Sequence, residues 1–278
     1  MSAAPAREPS RVSPAFSPLR VYALVTRYMY LLRSSWPRLV ELVYWPTVQM
    51  VTWGFLQLYV GQSANPVVFG AGAFIGAMLL WDVLFRSQLG FSMSFLEEMW
   101  ARNMGNLLMS PLRPGEFLLA LVVMSLVRLF VGLVPVTLLA MAFFGFNVYA
   151  LGLGLAFFFT NLVLTGWAVG IVVSGIILRN GMGAEGLAWT VMFLMLPLGC
   201  VYYPVAVLPG WLQAVAWTLP PTYVFEGLRA LVIDKVLRTD LMLQAFAINI
   251  VLLAASTAAF LWLVQEARKA GSLLQQGE

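Results

Sequence analysis

Four long stretches of this sequence contain no charged residue, and they limit the chain to very few kinds of fold. They cover residues 42–81, 129–178, 186–225 and 241–265. A helix needs about 20 mostly apolar residues to cross the hydrocarbon core of a bilayer, so the longest stretches must each hold more than one element. Only 10% of the residues are charged, against about 25% in a typical soluble domain. The sequence therefore predicts an all-α integral membrane protein.

The apolar stretches and the polar turns between them predict six transmembrane helices. The expected crossings are residues 40–60, 67–85, 116–144 and 149–178, a fifth from residue 186, and 242–264, with turns at 61–66, 144–147 and 179–185. Six crossings place both termini on the same side, in a single transmembrane domain over residues 20–268. Pairs of glycines four residues apart, Gly72–Gly76 and Gly166–Gly170, would let helices approach closely.

The N-terminal region divides into two parts. Residues 1–19 are proline-rich and lack an apolar core, so we expect a disordered tail and no secretory signal. At the other end of the sequence, residues 269–278 are expected to form a second tail. From Val21 onwards, apolar residues recur at helical spacing with arginines between them. This pattern predicts a basic amphipathic helix in the headgroup layer. A helix that packs against soluble protein is the alternative.

The basic residues indicate the orientation. With the N-terminus in the cytoplasm, twelve of them lie on the inner side: Arg7, Arg11, Arg20, Arg27, Arg33, Arg38, Arg86, Arg102, Arg113, Arg179, Arg268 and Lys269. The outer side has three, which are Arg229, Lys235 and Arg238, and Arg128 falls within the third crossing. Cytoplasmic loops carry an excess of Lys and Arg, so both termini are predicted to be cytoplasmic.

The inner segment between the second and third crossings reads FLEEMWARNMGNLLMSPLRP, residues 95–114. Its apolar residues share one helical face, while Glu97, Glu98 and Arg102 project from another. Glu98 and Arg102 have the favourable four-residue offset, and Pro111 and Pro114 stop the helix. We expect a helix along the cytoplasmic membrane surface whose charged side docks another molecule. A merely solvated face is the alternative.

Composition excludes several kinds of chemistry. The chain has no histidine and one cysteine, Cys200, which excludes histidine-based catalysis and Cys/His metal sites, so no metal is expected. Gly181, Gly183 and Gly186 match the pattern GxGxxG, but the strand and the acidic residue that dinucleotide binding requires are missing. No GxxxxGK[ST] phosphate loop is present either. We expect no cofactor in this chain; ATP, if it is used, binds another chain.

Residues 201–229 are too broken to cross a membrane. Pro204, Pro209 and Pro220 divide the run into short pieces, and non-helical backbone at membrane depth persists only where protein or a wet cavity satisfies it. We therefore expect a re-entrant hairpin on the outer side, with Trp211 suited to the interface. An ion pair can form between Glu226 and Arg229, which are three residues apart. This pair either closes the hairpin or serves only the local structure.

Arg128 is expected inside the third crossing, where a charged side chain is costly and normally paired. Asp82, near the inner end of the second crossing, is the nearest acid in the prediction, so an Asp82–Arg128 ion pair is one hypothesis. Asp82 can instead pair with Arg86 at the four-residue offset, and Arg128 can extend its side chain to the interface.

Two motifs and the order of elements carry a family resemblance. The order is a basic amphipathic helix, two crossings, the inner segment FLEEMWARNMGNLLMSPLRPGE, four more crossings and a basic end. The second motif is VYYPVAVLPGWLQAVAWTLPPTYVFEGLR, of the form P…LP.W…P…EGLR. From about residue 18 to 268 the chain resembles the permeases of type-2 ATP-binding-cassette (ABC) exporters.

The resemblance implies partners and site residues. It implies a homodimer or pseudo-dimer in the bacterial inner membrane, where the protein contacts lipids. Two cytosolic ATPase subunits, which hold ATP and Mg, would bind to it. No binding of nucleic acid is expected. The inner segment becomes the coupling helix, with Glu97, Glu98 and Arg102 at the ATPase contact and Arg113 nearby. The hairpin caps the exit path. The first and fifth crossings line the path between the two copies, with Gln49, Trp53 and Gln57 as candidates.

Two other classes of function stay open. A secondary carrier driven by an ion gradient places ionisable groups or broken helices near the bilayer midplane, and Arg128 is the candidate for that role here. A membrane-embedded enzyme or a non-transporting scaffold is the third reading. The sequence does not define the substrate.

Overall fold

The computed structural model describes residues 16–63 and 73–269, and these residues are mostly helical. We number the helices in chain order: α1 (Pro18–Arg33), α2 (Trp36–Ser63), α3 (Ala73–Trp100), α4 (Met104–Met109), α5 (Pro114–Phe144), α6 (Leu153–Asn180), α7 (Leu187–Leu198), α8 (Gly210–Ala216), α9 (Pro220–Arg229) and α10 (Thr239–Lys269). Most of the two predicted tails, together with turn residues 64–66 and Gly72, lies outside the described residues.

The helix ends follow the sequence signals. Pro114 begins α5, and the side chain of Glu116 accepts the backbone N–H of Arg113 at 3.0 Å, which satisfies a free donor at the start of the helix. The helix ends at Gly145, whose φ of 63° is in the left-handed region where glycine is favoured. Gly181, with φ of 78°, follows α6 in the same way. The turns predicted at residues 144–147 and 179–185 are therefore confirmed.

The predicted amphipathic helix is α1. It buries Val21, Leu24, Tyr28 and Leu32, which lie on one face, and exposes Tyr22 on the other. This buried face packs against the start of α5 and the end of α3.

Four of the described helices are long and apolar enough to cross a membrane, namely α3, α5, α6 and α10. Helix α2 has 28 residues, as many as α3, but is not among these four. Helix α7 has 12 residues and is therefore only about 18 Å long. The all-α membrane class is confirmed, with four candidate crossings.

Helices α3 and α6 occupy the centre of the bundle. One apolar cluster, which includes Phe95, Leu118 and Phe260, lies where α3, α6 and α10 end and α5 begins; we call this the α1 end. A second cluster, with Phe158 and Phe225, lies nearer the opposite end, which we call the hairpin end. The chain between α7 and α10 covers the hairpin end.

The structure corrects one expected boundary. Helix α3 continues without a break through residues 95–100, so FLEEMW is the end of a crossing helix and not part of a separate surface helix. Phe95, Leu96 and Met99 are buried and extend the apolar face of α3. The break comes at Arg102, whose φ of 53° is left-handed, and the short helix α4 follows.

Candidate functional site

Glu97, near the end of α3, is bound by arginines from two other helices. Its Oε2 lies 2.8 Å from Nη2 of Arg128 on α5, and its Oε1 lies 3.2 Å from Nη1 of Arg38 on α2. The Glu97 side chain is only 9% exposed. This carboxylate therefore joins α3 to both α2 and α5.

Glu98 is held in a similar way. Its Oε1 lies 2.7 Å from Nη1 of Arg27 on α1, and its Oε2 accepts a 2.7 Å hydrogen bond from the side-chain amide of Asn103. The side chain is 1% exposed. Burial raises the pKa of the neighbouring Tyr28, and the charge of Glu98 raises it further, so the Tyr28 hydroxyl stays protonated.

Glu116 is the third buried carboxylate at this end. The guanidinium of Arg20 donates to it twice, at 2.9 and 2.6 Å, and the backbone N–H of Ser17 donates at 2.8 Å. The hydrogen bond to Glu116 raises the pKa of Arg20. Because this arginine contact is bidentate, it fixes the start of α1 against the start of α5 in orientation as well as in distance.

We call these ion pairs at the α1 end collectively the carboxylate cluster; its members are Glu97, Glu98 and Glu116 with Arg20, Arg27, Arg38 and Arg128. It connects four helices, α1, α2, α3 and α5. Removing one partner from a buried ion pair leaves an uncompensated charge, which is strongly destabilising. The cluster therefore holds the helices in register, and its carboxylates already have their partners within the chain.

Next to this cluster lies an exposed surface formed by the α3–α5 connection, which we call the α4 surface. It consists of Trp100, Arg102, Asn106, Met109 and Arg113. Met109 is 74% exposed, and the indole N–H of Trp100 donates to Oε2 of Glu185 at 3.0 Å. Of the three residues predicted to share an outward face, Arg102 is exposed, whereas Glu98 is buried and the Glu97 side chain is only 9% exposed. Arg113, which was expected nearby, is exposed.

The predicted Asp82–Arg128 ion pair is not formed. Asp82 binds Arg86 one turn further along α3, with Oδ2 2.6 Å from Nε, and Arg128 binds Glu97. The alternative pairing of Asp82 with Arg86, four residues further along the helix, is therefore correct. The distant pairing was wrong because α3 extends beyond the expected crossing and brings Glu97 within reach of Arg128.

Prolines divide the chain as predicted for residues 201–229; we call residues 199–229, which follow α7, the hairpin segment. Pro204 and Pro209 flank a 3₁₀ turn, Val205–Val207, and Pro220 begins α9. Trp211 lies in α8 and is largely exposed. The fragmentation is therefore present, and re-entry into the membrane stays a prediction.

Glu226 and Arg229 form the expected ion pair, with 3.0 Å between Oε1 and Nη2. Oε1 of Glu226 also accepts the backbone N–H of Val205 at 2.7 Å, and Nη1 of Arg229 donates to the carbonyl of Cys200 at 2.9 Å. Cys200 has a left-handed φ of 52°. The pair therefore satisfies backbone groups on both sides of the irregular stretch between α7 and the 3₁₀ turn.

The three candidate path residues on α2 have different surroundings. Gln49 is exposed. Trp53 stacks on Tyr202 of the hairpin segment, with ring centroids 4.2 Å apart. The side-chain oxygen of Gln57 accepts the backbone N–H of Ile75 at 3.2 Å, near the start of α3. Trp53 and Gln57 thus join α2 to neighbouring elements, and a path role for all three stays a prediction.

Sequence reasoning missed the partners of the carboxylate cluster. The pairs of Arg20, Arg27 and Arg38 with their carboxylates join residues 96, 71 and 59 positions apart, and no local spacing reveals such a distance. Glu116 had a usable signal, since an acid two residues after Pro114 fits the third position of a helix.

Comparison with known families identifies a match. A protein-family model described as ABC-2 type transporter matches residues 20–233, from the start of α1 through the turn that follows α9. The matched region contains the carboxylate cluster, the α4 surface and the hairpin segment. No curated protein matches the chain.

Proposed function

Because this chain belongs to the ABC-2 type transporter family, we propose that it is the permease of an ATP-driven exporter and works as a homodimer with two cytosolic ATPase subunits. Family membership makes it a non-catalytic, multi-pass membrane subunit of an ABC transporter and implies association with ABC ATPases. The direction of transport, the dimer and the number of ATPase copies belong to the proposal. ATP and Mg bind the ATPase subunits.

The proposed topology has six crossings in the bacterial inner membrane, with both termini in the cytoplasm. Helices α3, α5, α6 and α10 supply four of them. Helix α2 is long enough for another, and α7 with the hairpin segment makes the remaining, incomplete one. The excess of arginines at the α1 end supports a cytoplasmic location for that end.

The observation that carries the proposal is the direct hydrogen bond between Asn103, the residue that precedes α4, and the carboxylate cluster. Asn103 lies in the turn between Arg102 and α4 and donates to Glu98 at 2.7 Å. Glu98 in turn binds Arg27 on α1, while the adjacent Glu97 binds α2 and α5. A displacement of α4 would therefore reach three other helices through short contacts to Glu97 and Glu98, whose side chains are 9% and 1% exposed.

The α4 surface suits contact with a protein. Trp, Met and Arg are enriched in the cores of protein interfaces, whereas Glu and Asp are depleted. Trp100, Met109 and the two arginines are exposed, and the neighbouring glutamates are turned inwards. In this proposal Arg102 and Arg113 touch the ATPase, while Glu97 and Glu98 pass its motion to the bundle.

At the opposite end, the hairpin segment acts as the outer gate. The stack of Trp53 on Tyr202 joins this gate to α2. Gln49, on the same helix, is exposed and is therefore free to face the path between two copies of the permease. A movement of α2 that begins at the Arg38–Glu97 contact would therefore reach the gate through one continuous helix.

Two kinds of substitution separate contact with the ATPase from transmission. Met109→Glu combined with Arg102→Glu should lower the amount of ATPase that co-purifies with the permease by about tenfold or more, since interface hot spots contribute 2 kcal/mol or more each. Glu97→Gln should leave co-purification intact and abolish stimulation of ATP hydrolysis by the permease. Arg238→Glu, at the hairpin end, is the matched control.

The outcome also tests the alternative function. A secondary carrier would move solute in vesicles under an ion gradient without any ATPase, and the double substitution on α4 would leave that transport unchanged. Unchanged co-purification of the ATPase with the α4 variant would contradict the proposed docking site.

A further inference from the structure

A cavity of about 410 Å³ lies between α3, α5 and α6, away from the carboxylate cluster and the hairpin segment. Its floor includes Leu79 and Val83 of α3, which are buried. Phe130 and Val134 of α5 and Ala156 of α6 lie at its rim and are exposed. The volume is within the range of about 300–1,000 Å³ that is typical of small-molecule sites.

The lining is unsuited to water. Its polar side chains are Thr137, Tyr149 and Thr160, and the hydroxyls of Thr137 and Tyr149 bind each other at 2.9 Å. A buried water molecule needs two to four polar partners, and apolar cavities stay dry. The space is therefore suited to hydrocarbon.

The position of the opening indicates the source of that hydrocarbon. The rim residues lie on α5 and α6, which are candidate membrane crossings, so the mouth is continuous with the surface that contacts lipid. Phe130 and Phe159 stack at one end of the lining, with centroids 5.8 Å apart. Tyr149 lies at the other end, close to where α5 ends and α6 begins.

We propose that this cavity binds one acyl chain of a membrane phospholipid from the leaflet at the hairpin end. The chain enters between α5 and α6 and runs towards Phe130, and the headgroup stays near Tyr149, whose ring suits the membrane interface. The site is separate from the path between permease copies, and it depends on the proposed topology only for the identity of the leaflet.

The test is photocrosslinking of the full-length protein in phospholipid vesicles. The probe is a phospholipid with a diazirine on one acyl chain, and labelled peptides are identified by mass spectrometry. We expect the label to concentrate on residues 130–137 and 152–160. Ala156→Phe fills the mouth of the cavity and should lower this labelling by about tenfold, since each buried methylene contributes roughly a fourfold factor in affinity.

The matched control is Ala255→Phe, which makes the same change at an exposed position of α10 and should leave the labelling unchanged. Thr160→Phe is a second way to fill the mouth if Ala156→Phe does not yield folded protein. Equal labelling of α10 and of the cavity residues, or unchanged labelling in both cavity variants, would show bulk annular lipid only and overturn the proposal. Neither result depends on ATPase binding, so the proposed transport function is tested separately.

Discussion

Glu97 of α3 and Arg128 of α5 form a buried ion pair, with 2.8 Å between Oε2 and Nη2. Arg128 lies about 20 Å along α5 from its first residue, Pro114. The same carboxylate also binds Arg38 near the start of α2. The side chain of Glu97 thus connects Arg38, which is exposed at the α1 end, with Arg128, which lies deeper in the bundle.

We expect Glu97→Ala to lower the free energy of unfolding by about 3–5 kcal/mol, because Arg128 would stay buried without its partner. Adding Arg128→Met should recover most of the loss, since the double variant leaves no unpaired charge at that position. Reversible unfolding in detergent measures both. Asp240→Ala is the control: it breaks an exposed ion pair with Arg238, which is worth about 1 kcal/mol or less. An equal loss in the single and double variants would contradict the assigned role of the pair.

Arg20→Ala should loosen α1 from the bundle, because it removes both hydrogen bonds to Glu116. Hydrogen bonds to charged groups contribute about 1.5–3 kcal/mol, so amide hydrogen exchange in residues 18–33 should accelerate on the order of tenfold or more. Arg33→Ala, at an exposed position on the same helix, should leave the exchange rates near those of the unchanged protein. Equal acceleration by the two substitutions would mean that the Arg20–Glu116 contact does not hold α1.

Cys200 provides a natural probe of the hairpin segment, since it is buried and is the single cysteine in the sequence. Arg229→Ala removes the hydrogen bond to its carbonyl, so the loop should open more often and a maleimide reagent should label Cys200 on the order of tenfold faster. Arg238→Ala at the same end should not change the rate. Slow labelling in both variants would show that the loop is held by other contacts.

Gly166→Ala should destabilise the contact between α3 and α6. A methyl group there would meet Ser87 and would lie 2.9 Å from the carbonyl oxygen of Leu84, a backbone atom with little room to move. Overpacking of this kind costs about 1–3 kcal/mol. Gly115→Ala is the matched control, since a methyl group there meets nothing within 4 Å. Thermal unfolding of the two variants should separate them, and equal melting temperatures would contradict the close packing.

Much of the architecture follows from local patterns in the sequence. Charge-free stretches locate the long helices, and glycines and prolines locate their ends, as at Gly145 and Pro114. The spacing of Gly166 and Gly170 also has a physical counterpart, because both glycines pack against α3. These features depend on residues close together in the chain, so sequence reasoning can reach them.

The candidate site was harder to predict because its contacts are distant in sequence. Glu97 and Glu98 look like a solvated pair when residues 95–114 are considered alone, since a surface helix commonly carries acids. Their burial depends on arginines from α1, α2 and α5, and the helices must be assembled before those arginines can be identified. The same reason explains the wrong partner for Arg128.

The short length of α7 has a consequence for the permeability barrier. Helix α7 starts at the α1 end and covers about 18 Å, whereas the hydrocarbon of a bilayer is about 30 Å thick. In the proposed topology, peptide groups of the hairpin segment complete the crossing that α7 begins, and they are far more polar than lipid tails. With that arrangement the low-dielectric layer along α7 would be thinner than along the longer helices, and a polar solute crossing beside it would lose its hydration over a shorter distance.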